Sequence, residues 1–238
     1  QIGLTEAEAT GALLCLDVTE AVLDEAIALG YNLVISHHPL IFKGYKSITG
    51  KDYVERCILK AIKNDIVIYS AHTNLDNAQG GVNYKIAEKI GLKNLKVLEP
   101  KENSLQDDLT QAGAGIVGEL DEPETELEFL KRIKKTFEVG CLRHNKLLGR
   151  EIQTVALCGG AGAFLMPLAI RNRADVFITG EIKYHDYFGH DTDILLAEIG
   201  HYESEQYTKE IFYTIIRDLF PAVEVQPSKV NTNPIKYM

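Results

Sequence analysis

Short apolar runs that alternate with helix-capable stretches constrain this chain more than any other feature of its sequence. Ala12-Leu13-Leu14-Cys15-Leu16 reads as a central strand, and Leu33-Val34-Ile35 and Ile66-Val67-Ile68-Tyr69 read as two more. Between the first two, Asp17-Val18-Thr19-Glu20 supplies capping residues for a helix from about Ala21 to Leu29, stopped by Gly30. A second helix is predicted from Tyr53 to Lys63. A third runs from Val82 to Ile90, after Gly80-Gly81, and closes on Gly91. Strand alternating with helix predicts an α/β fold with a mostly parallel sheet and right-handed crossovers.

The second half resumes the pattern after residues 99–110, a polar stretch containing Pro100 that reads as a linker. Strands are expected near Ala114–Val117, Phe137–Leu142 and Thr154–Leu157, with an amphipathic helix from Glu124 to Lys135. Gly159-Gly160-Ala161-Gly162 has neither dinucleotide nor P-loop spacing, and a tight strand-to-helix turn is the simpler expectation. A long helix is predicted from His201 to about Leu219.

The halves repeat one another. Val155-Ala156-Leu157, followed by a helix and Asp175-Val176-Phe177-Ile178-Thr179-Gly180, parallels Leu14–Asp17, a helix, and Leu33-Val34-Ile35-Ser36-His37. Residues 65–72 line up in the same way with residues 193–201. Each passage ends on a histidine, His72 or His201, with a carboxylate four residues on, Asp76 or Glu205. An internal duplication accounts for this. It predicts two related α/β halves, residues 1–100 (completed by 206–238) and 101–205, with a dinuclear metal cleft between them.

Composition narrows the class. The 238 residues suit one large or two small domains, and no apolar run is long enough to span a bilayer. The start shows no signal-peptide pattern, and it lacks a Met, so a preceding segment is expected. Cys15, Cys57, Cys141 and Cys158 are scattered, which fits buried free thiols in a reducing cytoplasm. A net charge of −9 speaks against broad binding to nucleic-acid phosphates.

The candidate chemistry begins at Ser36-His37-His38-Pro39, where two adjacent histidines leave a predicted strand at the edge where ligands bind in α/β sheets. A lone strand-end histidine is commonly structural, but a tandem pair suggests imidazole ligands for a divalent metal. His201 and Glu205, at i and i+4, share one helix face and can reach one ion or two adjacent ones; a helix N-terminal pair is the plainer alternative. Asp76 offers a hard carboxylate able to bridge. His37, His38, Asp76, His201 and Glu205 suffice for two divalent ions with open positions left. Zinc, manganese or iron would suit such a mixed set. His72 is a ligand, an orienting group for Asp76 or a buried structural histidine, with an orienting or acid/base role favoured. The stretch Gly180-Glu181-Ile182-Lys183-Tyr184-His185 is expected to line the same cleft, where His185, Lys183 or Glu181 could contact substrate and His185 is a second acid/base candidate; a solvated charged face is the plainer alternative for Glu181 and Lys183. His144 and His190 are expected at the surface.

Ser36-His37-His38-Pro39, His72-Thr73-Asn74-Leu75-Asp76, Thr179-Gly180-Glu181 and Gly200-His201 with Glu205 resemble, in order, the YbgI-like or NIF-three-like family. Many of its members are labelled GTP cyclohydrolase I type II homologues. The resemblance implies two related α/β halves, a two-metal site on the same five residues, and a toroidal homohexamer. It also implies a further helix and an Asn-Gly-Leu-Gln segment before Gln1, and this chain has no room for the domain that longer members insert.

Two functions of different class follow. One is a dinuclear metal hydrolase of a nucleotide or related small molecule, with GTP ring opening as the named activity and phosphoesters as the next substrates. The other is a non-catalytic, metal-stabilised ring that binds protein or DNA partners.

Overall fold

The computed structural model describes residues 1–101 and 112–238. The chain forms a mixed α/β fold with two sheets, in two units: Gln1–Leu75 with Thr208–Lys236, and Asp76–Tyr207 with Tyr237–Met238. The boundaries expected from the sequence lay instead at 100/101 and 205/206.

The first unit opens with β1 (Ala12–Cys15), α1 (Glu20–Leu29), β2 (Leu33–Ser36), α2 (Tyr53–Lys63) and β3 (Val67–Ser70). Thr19 caps α1, its hydroxyl accepting from the Val22 N–H at 3.3 Å, and Gly30 closes it in the left-handed conformation. Val54, Cys57, Ile58 and Ala61 of α2 lie one turn apart and are buried, the stripe a helix needs to cover a sheet. They join Leu13, Val22, Val34 and Ile68 in one core.

Glu55, on the same helix, is buried for a different reason. Its carboxylate accepts from the backbone N–H groups of Thr49, Gly50 and Lys51 at 2.8, 2.9 and 3.1 Å and so closes the loop before α2. The Thr49 N–H contributes most to holding its pKa down at about 2. A carboxyl group with a depressed folded pKa stabilises the fold above its unfolded value and loses that contribution as pH falls toward the folded one. Glu55→Gln should therefore lower Tm by a few degrees at pH 7. The gap to the parent should narrow as pH drops from about 4.5 to about 2. Thermal unfolding by circular dichroism across that range checks it; a gap independent of pH would contradict it.

A single turn, α3 (Thr73–Asp76), precedes the second unit, which contains α4 (Val82–Ile90), β4 (Lys93–Pro100), β5 (Gly113–Thr125), α5 (Glu126–Thr136), β6 (Arg143–His144), β7 (Glu151–Cys158), α6 (Met166–Arg171), β8 (Val176–Thr179), β9 (Leu195–Glu198) and α7 (His201–Glu205). Its sheet order is β4-β5-β7-β8-β9-β6. Only β7, β8 and β9 are mutually parallel, while β4–β5, β5–β7 and β6–β9 are antiparallel, which corrects the expectation of a mostly parallel sheet for this half.

Three element expectations also change. The supposed linker starts as strand: Glu99 and Pro100 end β4, an edge strand on which a proline is tolerated. The rest of that stretch, 102–110, lies outside the described residues. No strand covers 137–142, because Phe137 caps α5 and Glu138 turns the chain with φ +55°. Residues 201–219 form two helices rather than one. Tyr207 separates them: its hydroxyl donates to the Thr136 carbonyl at 2.9 Å and the Lys89 ammonium sits 3.7 Å from its ring centre.

The chain returns to the first unit with α8 (Thr208–Leu219) and β10 (Val225–Pro227). β10 pairs parallel with β1, giving an all-parallel sheet of order β10-β1-β2-β3. β10 is thus an edge strand of that sheet. Cys15, Cys57 and Cys158 are buried free thiols as expected, whereas Cys141 is exposed.

Candidate metal ligands in the two units

In the first unit the parallel ladder runs past the end of β2. The His37 and His38 N–H groups donate to the carbonyls of Cys15 and Leu16 at 3.3 and 2.9 Å, so both histidines are held at the carboxyl end of the sheet. His37 is fully buried; its Nδ1 lies 2.9 Å from the Ala71 carbonyl, which can only accept. That fixes the proton on Nδ1 and makes Nε2 the acceptor nitrogen of the ring. His38 repeats the arrangement, with Nδ1 2.7 Å from Asp17 Oδ1. His72 completes a group, its ring centre 5.3 Å from that of His37 and 5.5 Å from that of His38, with Phe42 against its edge at 5.8 Å. Each of the three imidazoles offers a nitrogen within 4.8 Å of the others.

In the second unit His201 opens α7 and Glu205 follows one turn later. The His201 Nε2 is 3.1 Å from Glu205 Oε2, and its Nδ1 is 2.7 Å from Glu181 Oε1. Bonding to Glu205, then the charges of Glu205 and Glu181, push the imidazole up to about 9 against its burial. Asp76 and the buried Glu205 carry carboxylate oxygens within 4.8 Å of each other. Both carboxylates also raise the Cys158 thiol, which burial chiefly drives up to about 12.

The glycine turn after β7 sets this geometry. Gly160 has φ +58°, and a Cβ there would run into the Glu205 carboxylate and come 3.3 Å from His201 Nε2. Its N–H donates to Ser204 Oγ at 3.0 Å, and Ser204 in turn donates to the His201 carbonyl at 2.8 Å. Asn83 of α4 accepts from the Gly159 N–H at 2.9 Å and donates to the Asp76 carbonyl at 3.0 Å, which ties Asp76 to the same turn.

The first unit therefore brings together His37, His38 and His72, and the second brings together Asp76, His201 and Glu205. His185 stands with neither group; it is exposed and packs on Tyr184 and Phe188, with ring centres 5.2 and 6.1 Å away. His144 is at the surface as expected, and His190 is partly covered beside Asp193.

The orienting groups are what the sequence concealed. Asp17 reads as a helix-cap residue, yet it holds His38, and the Thr232 hydroxyl donates to its other oxygen at 2.6 Å. A signal existed: β1 and β2 are parallel with Cys15 opposite Ser36, so two residues on Asp17 falls beside His38. Groups that orient a ligating imidazole are commonly worth 10–100-fold in metal affinity. Asp17→Asn should thus weaken zinc binding by about that factor. Competition with a chromophoric chelator measures it, and unchanged affinity would contradict the role.

A sequence model of the Duf34/NIF3 (NGG1p interacting factor 3) family matches residues 1–234. A Lactococcus lactis protein named GTP cyclohydrolase 1 type 2 homolog is 34% identical over 98% of this chain and 88% of its own length. A Clostridium perfringens protein of the same name is 37% identical over 86% of this chain and 76% of its own. The crystal structure of a Staphylococcus aureus hypothetical protein superposes with a TM-score of 0.90 at 32% identity, covering all of this chain and 90% of that one.

Proposed function

Because this chain belongs to the Duf34/NIF3 family, we propose that it is a dinuclear divalent-metal-dependent hydrolase of a nucleotide or related small molecule. One observation carries the reading. His37, His38 and His201 each have Nδ1 against a carbonyl or carboxylate, the arrangement that orients a ligating imidazole to coordinate through Nε2, and the His201 Nε2 lies 3.1 Å from Glu205, another candidate ligand. The donor set of imidazole nitrogens and carboxylate oxygens fits zinc, manganese or iron.

In this proposal His37, His38, Asp76, His201 and Glu205 hold two ions, with Asp76 and Glu205 as the bridging candidates. Ions so held supply Lewis acidity toward a substrate oxygen and acidify water. Asp17, Glu181 and the Ala71 carbonyl keep the three imidazoles in one tautomer. His72, beside His37 and His38, is the candidate for proton transfer, and His185 for contact with substrate. We extend the proposal to an internal duplication relating the two units, to a cytoplasmic location, and to the toroidal homohexamer that the family resemblance implies. Among the described residues no helix is long and apolar enough to cross a membrane.

The test is metal analysis of the purified protein followed by a panel of nucleoside triphosphates and phosphoesters. About two ions per chain with turnover that chelation abolishes is expected. Bound metal without turnover on any member would favour the ring scaffold that binds protein or DNA.

A further inference from the structure

The second unit carries another constellation, among residues that the metal reading leaves unused. A cavity of about 680 Å³ is lined by Arg143, His144 and Lys146 together with Tyr184, Tyr187 and Phe188. That volume lies in the usual range for small-molecule sites. Tyr184 and Phe188 are 71% and 63% exposed and meet edge to face with 5.4 Å between ring centres. Two large aromatic rings left to water in a concave surface and set at 72° to each other offer another flat ring one face to stack on and one edge to meet.

The polar part of the lining is pre-set. The Arg143 Nε donates to Glu198 at 3.0 Å and its Nη2 reaches the same carboxylate, which also accepts from the Tyr187 hydroxyl at 2.8 Å and the Ile182 N–H at 3.2 Å. Glu198 thereby locks the guanidinium plane while Nη1 keeps N–H groups that find no acceptor among the described residues. Lys146 is exposed beside it, and Asp191 is the one carboxylate residue of the lining. A purely apolar ligand would strip water from these donors without replacing it. A small anion would leave the aromatic rings unused.

We propose that this cavity binds a planar aromatic ring carrying an anionic group, of nucleoside monophosphate size. The ring stacks on the face of one of Tyr184 and Phe188 and meets the edge of the other, and the anion meets Arg143 Nη1 and the Lys146 ammonium. The inference rests on the hydrolase reading in one respect: it makes this the place where the substrate's ring is held. The chain supports that link, since Glu181, which orients His201, lies three residues before Tyr184, and Glu198 lies three residues before His201.

Calorimetric titration of the metal-loaded protein with AMP, GMP, adenosine and inorganic phosphate tests it. A monophosphate should bind about tenfold or more tighter than either nucleoside or phosphate alone, since each half of the site is then used. Tyr184→Ala and Lys146→Ala, both at exposed side chains, should each weaken the monophosphate about tenfold with the metal content unchanged. No binding of either monophosphate, or equal binding by parent and variants, would overturn the proposal. So would a change in sedimentation of the variants with nucleotide binding intact, which would make this face a contact between copies of the chain. Variant-sensitive monophosphate binding by a protein that holds no metal would sustain this site while removing the hydrolase reading.

Discussion

Asp76→Ala is expected to reduce bound metal from about two ions per chain to fewer than one after desalting. Its carboxylate is one of two, with Glu205, whose oxygens come within 4.8 Å of each other in the second unit. Neutral imidazoles alone cannot offset the charge of two divalent ions, so losing one of the two carboxylates in the proposed ligand set should weaken both sites together. The expected loss exceeds the 10–100-fold typical of an orienting group. The fold should survive, because the contact that ties this position to α4 uses the Asp76 backbone carbonyl, which accepts from Asn83. Elemental analysis of parent and variant, beside their circular dichroism spectra, measures both effects. Full retention of metal by a folded variant would remove Asp76 from the ligand set.

The second large effect is expected at Gly160. Gly160 and Gly91 both have positive φ, +58° and +84°, but a Cβ at Gly91 meets nothing within 4 Å. At Gly160 it would overlap the Glu205 carboxylate. Alanine at either position should cost about 1–2 kcal/mol of backbone strain. Only Gly160→Ala should also displace Glu205 and lower the metal content, by half or more. Denaturation by urea gives the first quantity and elemental analysis the second. Equal metal in the two variants would show that Glu205 does not need the space that Gly160 leaves open.

What was legible in the sequence followed from short-range physics. Helices α1, α2 and α4 were predicted to within a residue or two, because each carries a periodic apolar face and a capping or closing residue at its ends. Strands β1, β2 and β8 were legible as buried apolar runs. β4 was not, since at the sheet edge most of its residues face water and the apolar pattern is lost. The break between α7 and α8 was hidden for a related reason: neither Gln206 nor Tyr207 is a helix-breaking residue, and the Tyr207 contacts with Thr136 and Lys89 come from far away in the chain.

The candidate ligands followed the same division. His37 and His38 stood out as a tandem pair, and His201 and Glu205 by helical spacing. Their orienting partners, Asp17, Glu181 and the Ala71 carbonyl, are 21, 20 and 34 residues away in the chain. No local pattern marks such pairs. For Asp17 it is the register of β1 against β2 that creates the contact.

Anomalous diffraction from crystals of the zinc- or manganese-loaded protein tests the central claim most directly. The account predicts two peaks per chain, roughly 3.5–4 Å apart. His37, His38 and His201 should each coordinate through Nε2, with Asp76 and Glu205 completing the set. A single peak confined to the three imidazoles of the first unit, or peaks that avoid Asp76 and Glu205, would contradict it.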